Sequence, residues 1–323
     1  MDDPIAILEQ VKAALEQWSL EPTNIEVASQ SENIVYKVKT PEGYFAFRIH
    51  RPGYHTLKEL HAEHEWTGAL TEAGFLLPTT RPATSGELYI PVMVNGSIRY
   101  AGIIEWLDGS VMKDQQSGKP SAQRHYQQLH ALGGLMAKLH NHSSTWQPSD
   151  SFTRHYLDID GFFGEAPFWG RYWESPGINK DQQALLLLTQ KTISEQLKTL
   201  GKERNVFGMI HADLHQRNVF ISDDSMYLID FDDAGFGWYL YDIAVALYEY
   251  NSQDDYQTLQ AAFLDGYTEQ RDLTDEHRDL LPMFLHIRSR AIIGWATARP
   301  ELKQHELINH LVQQTCKEAI SYQ

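Results

Sequence analysis

The chain has 323 residues, of which 42% are hydrophobic and 22% charged, and its formal net charge is −16. That length allows two packed lobes, and the composition is too apolar for a disordered chain. The acidity disfavours a phosphate backbone, so no nucleic-acid partner is expected; no stretch approaches a membrane span, the longest aliphatic patch being Ala184 to Leu188. A single cysteine, Cys316, excludes an intrachain disulfide and a cysteine-based zinc site. With no disulfide and an acidic rather than basic N-terminus, a reducing, cytoplasmic setting is expected.

Ile5, Leu8, Val11, Leu15 and Trp18 recur at helical spacing, which predicts an opening amphipathic helix with its stripe on a core. Ile25 to Ala28 is a short candidate strand. Ile34, Tyr36 and Val38 then alternate with Val35, Lys37 and Lys39. Pro41-Glu42-Gly43 supplies a turn, and Tyr44 to His50 reads as the return strand. Leu57 to Ala73 is helical in pattern, with Ala62, Trp66, Leu70 and Ala73 on one face. Tyr89 to Val94 and Ile98 to Trp106 flank Asn95-Gly96, a strong hairpin signal. Residues 107–120 read as a connection, and Ser121 can cap a helix carrying Leu129, Leu132, Met136 and Leu139. Residues 149–177 are irregular and aromatic, and Lys180 to Leu200 is helical. Residues 206–231 read as two short strands around a polar turn, and from Tyr239 onward the pattern is helical. A β-rich first third followed by a mostly helical remainder is an α+β layout in two lobes, 1–105 and 106–323.

The chemistry concentrates between Gly208 and Gly235. His211-Ala212-Asp213 is followed by Asn218 and then by Leu228-Ile229-Asp230-Phe231. Apolar residues on either side of the turn at Ser222 to Ser225 predict a hairpin, with Asn218 leading into one strand and Asp230 just past the end of the other. The loop before Asn218 projects Asp213 over the same point. Phosphoryl transfer needs such a set. Mg²⁺ prefers hard oxygen ligands, here the Asn218 amide and the Asp230 carboxylate, with nucleotide phosphates completing its shell. Asp213 is then the base that accepts the hydroxyl proton of the acceptor. A competing reading groups His211, Asp213 and His215 as a transition-metal site, but it leaves Asn218 and Asp230 unexplained. There is neither a Walker lysine motif nor Gly-x-Gly-x-x-Gly.

This segment resembles the catalytic loop and metal-binding turn of the aminoglycoside phosphotransferase and choline kinase family, which shares the protein-kinase fold. The family's loop reads His-Gly/Ala-Asp-x-x-x-x-Asn, and Ile229-Asp230-Phe231-Asp232 is similar to its metal motif. The resemblance implies a two-lobed kinase-like fold using ATP and Mg²⁺, with an antiparallel sheet and a helix in the first lobe. It further implies that Asp242, in Tyr241-Asp242-Ile243-Ala244, caps a helix and ties the loop down. His211 supports the loop. Upstream, Gln30 to Val38 resembles the nucleotide-phosphate loop, which points to Ser31 and Asn33 as phosphate contacts. Glu63 falls where the family places the glutamate that orients a strand cation. Ile104-Glu105-Trp106-Leu107 looks like the hinge whose main chain, at Glu105 and Leu107, would hold adenine. One position departs from the family: Phe45-Ala46-Phe47-Arg48 puts Arg48 where lysine is usual. Arginine can clamp phosphates bidentately but is not equivalent to lysine.

The expected activity is transfer of the γ-phosphate of ATP to a hydroxyl of a small-molecule acceptor. Two alternatives are a Ser/Thr protein kinase of a bacterial stress type and a catalytically dead nucleotide-binding regulator. No activation-loop insert separates Asp230 from Asp242, which favours small acceptors. The acidic and aromatic residues of 149–177, among them Asp158, Asp160, Trp169 and Trp173, suit a cationic acceptor through ion pairing and cation–π contact.

Overall fold

A computed structural model describes residues 3–30, 33–113, 122–223 and 225–320. Ser31 and Ser121 lie outside the described residues. The chain divides into two compact units. The first comprises residues 1–111, 148–153 and 219–229; the second comprises 112–147, 154–218 and 230–323. The first unit therefore reaches six residues past the expected boundary at 105 and takes in a later hairpin.

The first unit is built on a six-stranded antiparallel sheet in the order β1-β2-β3-β6-β4, with β5 paired to β6. Its strands are β1 (Asn24–Gln30), β2 (Ile34–Thr40), β3 (Gly43–Ile49), β4 (Thr80–Arg81), β5 (Ile90–Val94) and β6 (Ser97–Glu105). Asn95 and Gly96 both have positive φ, as a two-residue hairpin turn between β5 and β6 requires. Alternation divides the two faces. Tyr36, Phe47 and Ile103 lie in one cross-strand row, and Ile34, Ile49 and Ala101 in another. These rows pack on Ile7, Val11, Leu15 and Trp18 of α1 (Leu8–Leu15) and its flanks. Ile5 is not part of that stripe: it precedes the helix and is 70% exposed, and Ile7 is buried instead. The other face of the sheet carries the rows Val35–Arg48–Gly102 and Lys37–Ala46–Ile104. α2 (Leu57–Glu72) starts at a capping box in which Thr56 and Glu59 satisfy each other's backbone N–H groups. The unit also holds β7 (Ser110–Val111), β10 (Val219–Ser222) and β11 (Ser225–Leu228), in the order β11-β10-β7.

The second unit is mostly helical: α3 (Ala122–Thr145), α4 (Ile159–Phe163), α5 (Lys180–Leu200), α6 (Tyr239–Tyr248), α7 (Tyr256–Thr268), α8 (Asp275–Asp279), α9 (Leu281–Thr297) and α10 (His305–Ala319). α3 and α7 approach so closely that a Cβ on Gly133 would overlap the Phe263 carbonyl, and one on Gly266 the His130 carbonyl. A small sheet in the order β8-β12-β9 joins β8 (Tyr156–Leu157), β9 (Phe207–Ile210) and β12 (Gly235–Trp238). Ile210 pairs with Gly235, so the chain leaves β9 beside the point where it enters β12. Among the described residues, no helix is long and apolar enough to cross a membrane.

Candidate active site

The loop that begins after Ile210 opens with His211, fully buried, and Ala212, whose φ of 66° is left-handed. Such a backbone costs on the order of 1–3 kcal/mol unless its surroundings hold it. Here Asp242 holds it. The His211 N–H donates to Oδ2 at 3.0 Å and the Ala212 N–H to Oδ1 at 2.6 Å. His140 Nε2 lies 3.2 Å from the same Oδ2, and His140 Nδ1 lies 2.9 Å from the Tyr267 hydroxyl. Burial lowers the pKa of His140 against the opposing pull of Asp242, so the ring is neutral. Its Nε2–H then donates to Asp242, and its Nδ1 accepts from Tyr267. Asp242 thus ties the loop down, as expected, but it caps no helix. α6 begins at Tyr239 with Trp238 as N-cap, and Asp242 is already inside the helix.

Asp213 follows, with both carboxylate oxygens engaged. Asn218 Nδ2 donates to Asp213 Oδ2 at 3.0 Å and to its backbone carbonyl at 2.9 Å. Arg288 Nη2, from α9, donates to Oδ1 at 2.6 Å, and His215 Nε2 lies 3.5 Å from Oδ2. Burial by itself would raise the Asp213 pKa; His215 and Arg288 outweigh it and hold the carboxyl below its ordinary value. The Tyr241 hydroxyl is buried beside Arg288, and that burial pushes its pKa up. His211 supports the loop from below: its Nδ1 accepts from the Asp213 N–H at 3.3 Å, and its ring packs on Phe231 with centroids 4.5 Å apart. His211, Asp213 and His215 do not form the transition-metal site considered above. Among the described residues, no three His, Cys, Asp or Glu side chains group to hold an ion.

Asp230 is exposed and also left-handed, with φ 64°. The turn after it is clamped by Arg154, whose Nε donates to the Ala234 carbonyl at 2.6 Å and whose Nη2 donates to the Asp232 carbonyl at 2.5 Å. Asn218 turns its amide nitrogen toward Asp213, which leaves its amide oxygen without a protein donor among the described residues. One free amide oxygen and one exposed carboxylate are hard donors, and they suit Mg²⁺ shared with phosphates rather than a metal caged by protein alone.

The nucleotide candidates fall in the first unit. Arg48 is half-buried on β3, between Val35 and Gly102 in its row, and Glu63 is 8% exposed on α2. Asn33 Oδ1 accepts the Arg51 N–H at 2.9 Å, a role in shaping the chain that the sequence did not announce. At the end of β6, the Glu105 N–H is taken by the Thr79 carbonyl and the Trp106 N–H by the Tyr44 carbonyl. The Leu107 N–H has no partner among the described residues. Lys37 sits between two rings, its ammonium 4.6 Å from the Tyr44 centroid and 4.5 Å from that of Trp106.

Residues 149–177 are more ordered than expected, since β8, α4 and a 3₁₀ turn at Tyr172–Glu174 interrupt them. Phe162, Phe163, Trp169 and Tyr172 are buried anchors. Asp158 caps α4 and pairs with Lys202, and Glu174 pairs with Arg171. Besides Arg154, Trp169 reaches the turn after Asp230: its indole N–H donates to Asp233 Oδ2 at 3.1 Å. Arg154, Asp233, Tyr241 and Arg288 were missed from the sequence. Arg288 lies 75 residues from its partner with no motif to mark it.

Comparison with known proteins agrees with this fold. A solved structure of a microcompartment-associated aminopropanol kinase superposes with a TM-score of 0.85 at 26% identity, covering 98% of this chain and 97% of that one. An amicoumacin kinase in complex with AMP-PNP and Ca²⁺ superposes with a TM-score of 0.80 at 19% identity, covering 98% and 96%. In sequence, the amicoumacin kinase of Bacillus subtilis (strain 168) is 22% identical over 88% of this chain and 84% of its own. The family model described as "Phosphotransferase enzyme family" matches residues 24–280. With its kinase-like fold and a His-x-Asp loop tied down by Asp242, the chain belongs to the phosphotransferase enzyme family, as a small-molecule kinase with an alcohol group as acceptor.

Proposed function

We propose that the chain transfers the γ-phosphoryl group of ATP to a small-molecule hydroxyl, with Asp213 as the base and Asn218 and Asp230 as ligands of Mg²⁺. The carrying observation is the orientation of Asn218. Its amide nitrogen holds the base through both the carbonyl and the carboxylate of Asp213, and its oxygen is turned away. One side chain thereby keeps the base off the metal while offering the metal a donor. When bound, Mg²⁺ would neutralise charge on the phosphates as the bond to the leaving oxygen breaks. Asp213 takes the hydroxyl proton as the acceptor oxygen attacks phosphorus. Arg48, oriented by Glu63, serves the nucleotide phosphates, and the main chain from Glu105 to Leu107 serves adenine. Asn33 and Ser31 complete the phosphate contacts.

For the acceptor we favour a hydroxyl compound that also carries an amine. Asp158 and Glu174 are engaged elsewhere, and Trp169 orients Asp233, whose carboxylate is the group we favour to read the charge of the acceptor. Aminopropanol, homoserine and aminoglycosides form the first panel. Asp213→Asn is the test of the base: turnover should fall by about 10²–10⁴-fold while Mg²⁺-ATP still binds. Wild-type turnover in that variant would remove Asp213 from the reaction. Phosphorylation of neutral or anionic acceptors alone would remove the amine.

A further inference from the structure

Among the largely buried arginines of the second unit, Arg154, Arg290 and Arg299 are structural by their partners, Arg299 donating to the Trp295 carbonyl. Arg154 donates to the carbonyls of Phe231, Asp232 and Ala234. Arg290 donates to the Leu186 carbonyl, the Tyr172 and Thr189 hydroxyls and the His286 ring. Both hold chain segments together. Arg288 does not. Its side chain is 12% exposed, donates to Asp213 Oδ1 at 2.6 Å and lies beside the buried Tyr241 hydroxyl. Its Nε is buried without a hydrogen-bond acceptor among the described residues. Fixing the rotamers of a buried arginine costs about 2 kcal/mol in side-chain entropy alone, and among the described residues no backbone carbonyl is held in return.

We propose that Arg288 is a positioning residue for the base: it occupies Asp213 Oδ1, so that Oδ2 is the oxygen presented to the acceptor hydroxyl. The inference rests on Asp213 being the base. A carboxylate with one anchored oxygen still rotates about its last torsion; a second anchor on the other oxygen stops that rotation. Asn218 supplies the anchor at Oδ2 and the backbone carbonyl, and Arg288 supplies the one at Oδ1. Each oxygen has more than one lone-pair direction, so Oδ2 can hold Asn218 and still take a proton. Arg288 comes from the middle of α9, whose neighbouring residues Ile287, Ser289 and Arg290 are buried, so the guanidinium is delivered from a rigid element.

The experiment measures ADP release from Mg²⁺-ATP with water as acceptor, and again with 1-amino-2-propanol. Arg288→Ala should lower kcat by about 10–100-fold, the scale of a misplacement of roughly 1 Å, with Kd for Mg²⁺-ATP changed by less than about two-fold. Guanidinium chloride, at concentrations on the order of tens of millimolar and well below denaturing levels, should restore part of the rate saturably. Arg288→Lys keeps the charge but not the planar fork, and should lose about 3–10-fold in kcat; it carries the test if the alanine variant does not fold. In an Asp213→Asn background, Arg288→Ala should cost less than about two-fold further, because the group it positions is gone. The proposal is overturned by wild-type kcat in both Arg288 variants, by an equal loss with and without Asp213, or by a loss confined to the KM of the acceptor. Wild-type turnover in Asp213→Asn alone would refute the base assignment instead, which separates the two failures.

Discussion

Replacing Asp242 with asparagine preserves volume and removes one acceptor from a fully buried site. The carboxylate receives the His211 N–H at 3.0 Å, the Ala212 N–H at 2.6 Å and His140 Nε2 at 3.2 Å, and His211, Ala212, His140 and Asp242 are all fully buried. An amide has one oxygen, so its NH₂ must face one of these donors. The variant loses a hydrogen bond to a charged group and leaves a buried N–H unpaired, each worth roughly 1.5–3 kcal/mol and partly the same energy, so about 3 kcal/mol of stability should go. The left-handed Ala212 is then no longer held against its own strain, and Asp213 moves with it. Urea unfolding followed by tryptophan fluorescence should show the midpoint falling at unchanged slope. Turnover should fall by about 10–100-fold with nucleotide affinity retained. A variant within about 0.5 kcal/mol of the wild type and with unaltered turnover would refute the view that Asp242 holds the loop.

Other outcomes follow from the same geometry. Calorimetry should show ATP binding that strengthens with Mg²⁺, and Asp230→Ala should lose that gain; Mg²⁺-independent ATP affinity in the wild type would count against the metal ligands. Arg48→Ala should weaken ATP far more than adenosine, and Arg48→Lys should recover part of the difference; equal losses for both ligands would place Arg48 away from the phosphates. Burial of His286, against Glu318, lowers its pKa to about 4, and its Nε2 accepts from Arg290. The unfolded chain therefore gains a proton below about 6.5 that the folded chain refuses until about 4, so stability falls as pH drops through that window, by about 2 kcal/mol at pH 5. His286→Asn should be less acid-sensitive than the wild type in urea melts at pH 7 and pH 5, and identical sensitivity would exonerate His286.

The sequence carried what is local and repetitive. Strand alternation in β2 and β3, the Asn95-Gly96 turn and the full extent of α5 could be read because each depends on neighbours a few residues apart. The catalytic loop could be read because its residues are closely spaced. β12 was missed because Gly235-Phe236-Gly237-Trp238 has the composition of a loop; it is a strand because β8 and β9 pair with it on either side. Ile5 fits the helical spacing but falls before the helix begins. Arg154 and Arg288 act on residues 75 or more positions away, and nothing in their own neighbourhoods distinguishes them from other arginines. Of the acidic residues of 149–177, Asp158 and Glu174 are paired, with Lys202 and Arg171, and neither partner could be read from the sequence.

The contact between α3 and α7 has a consequence for the loop it never touches. His140 is on α3 and Tyr267 on α7, and the hydrogen bond between them leads through the imidazole to Asp242 and on to Ala212. Gly133 and Gly266 set how closely the two helices lie. The glycines therefore act as a gauge: the thickness of one residue between two helices fixes the height at which a remote backbone is held. A methyl group added there would widen the gap at the far end of a chain of hydrogen bonds, each with a tolerance of only a few tenths of an ångström. Drift in a position with no chemistry of its own could thus retune the base, and the interior of the helical unit is as much a part of the catalytic apparatus as the loop that displays Asp213.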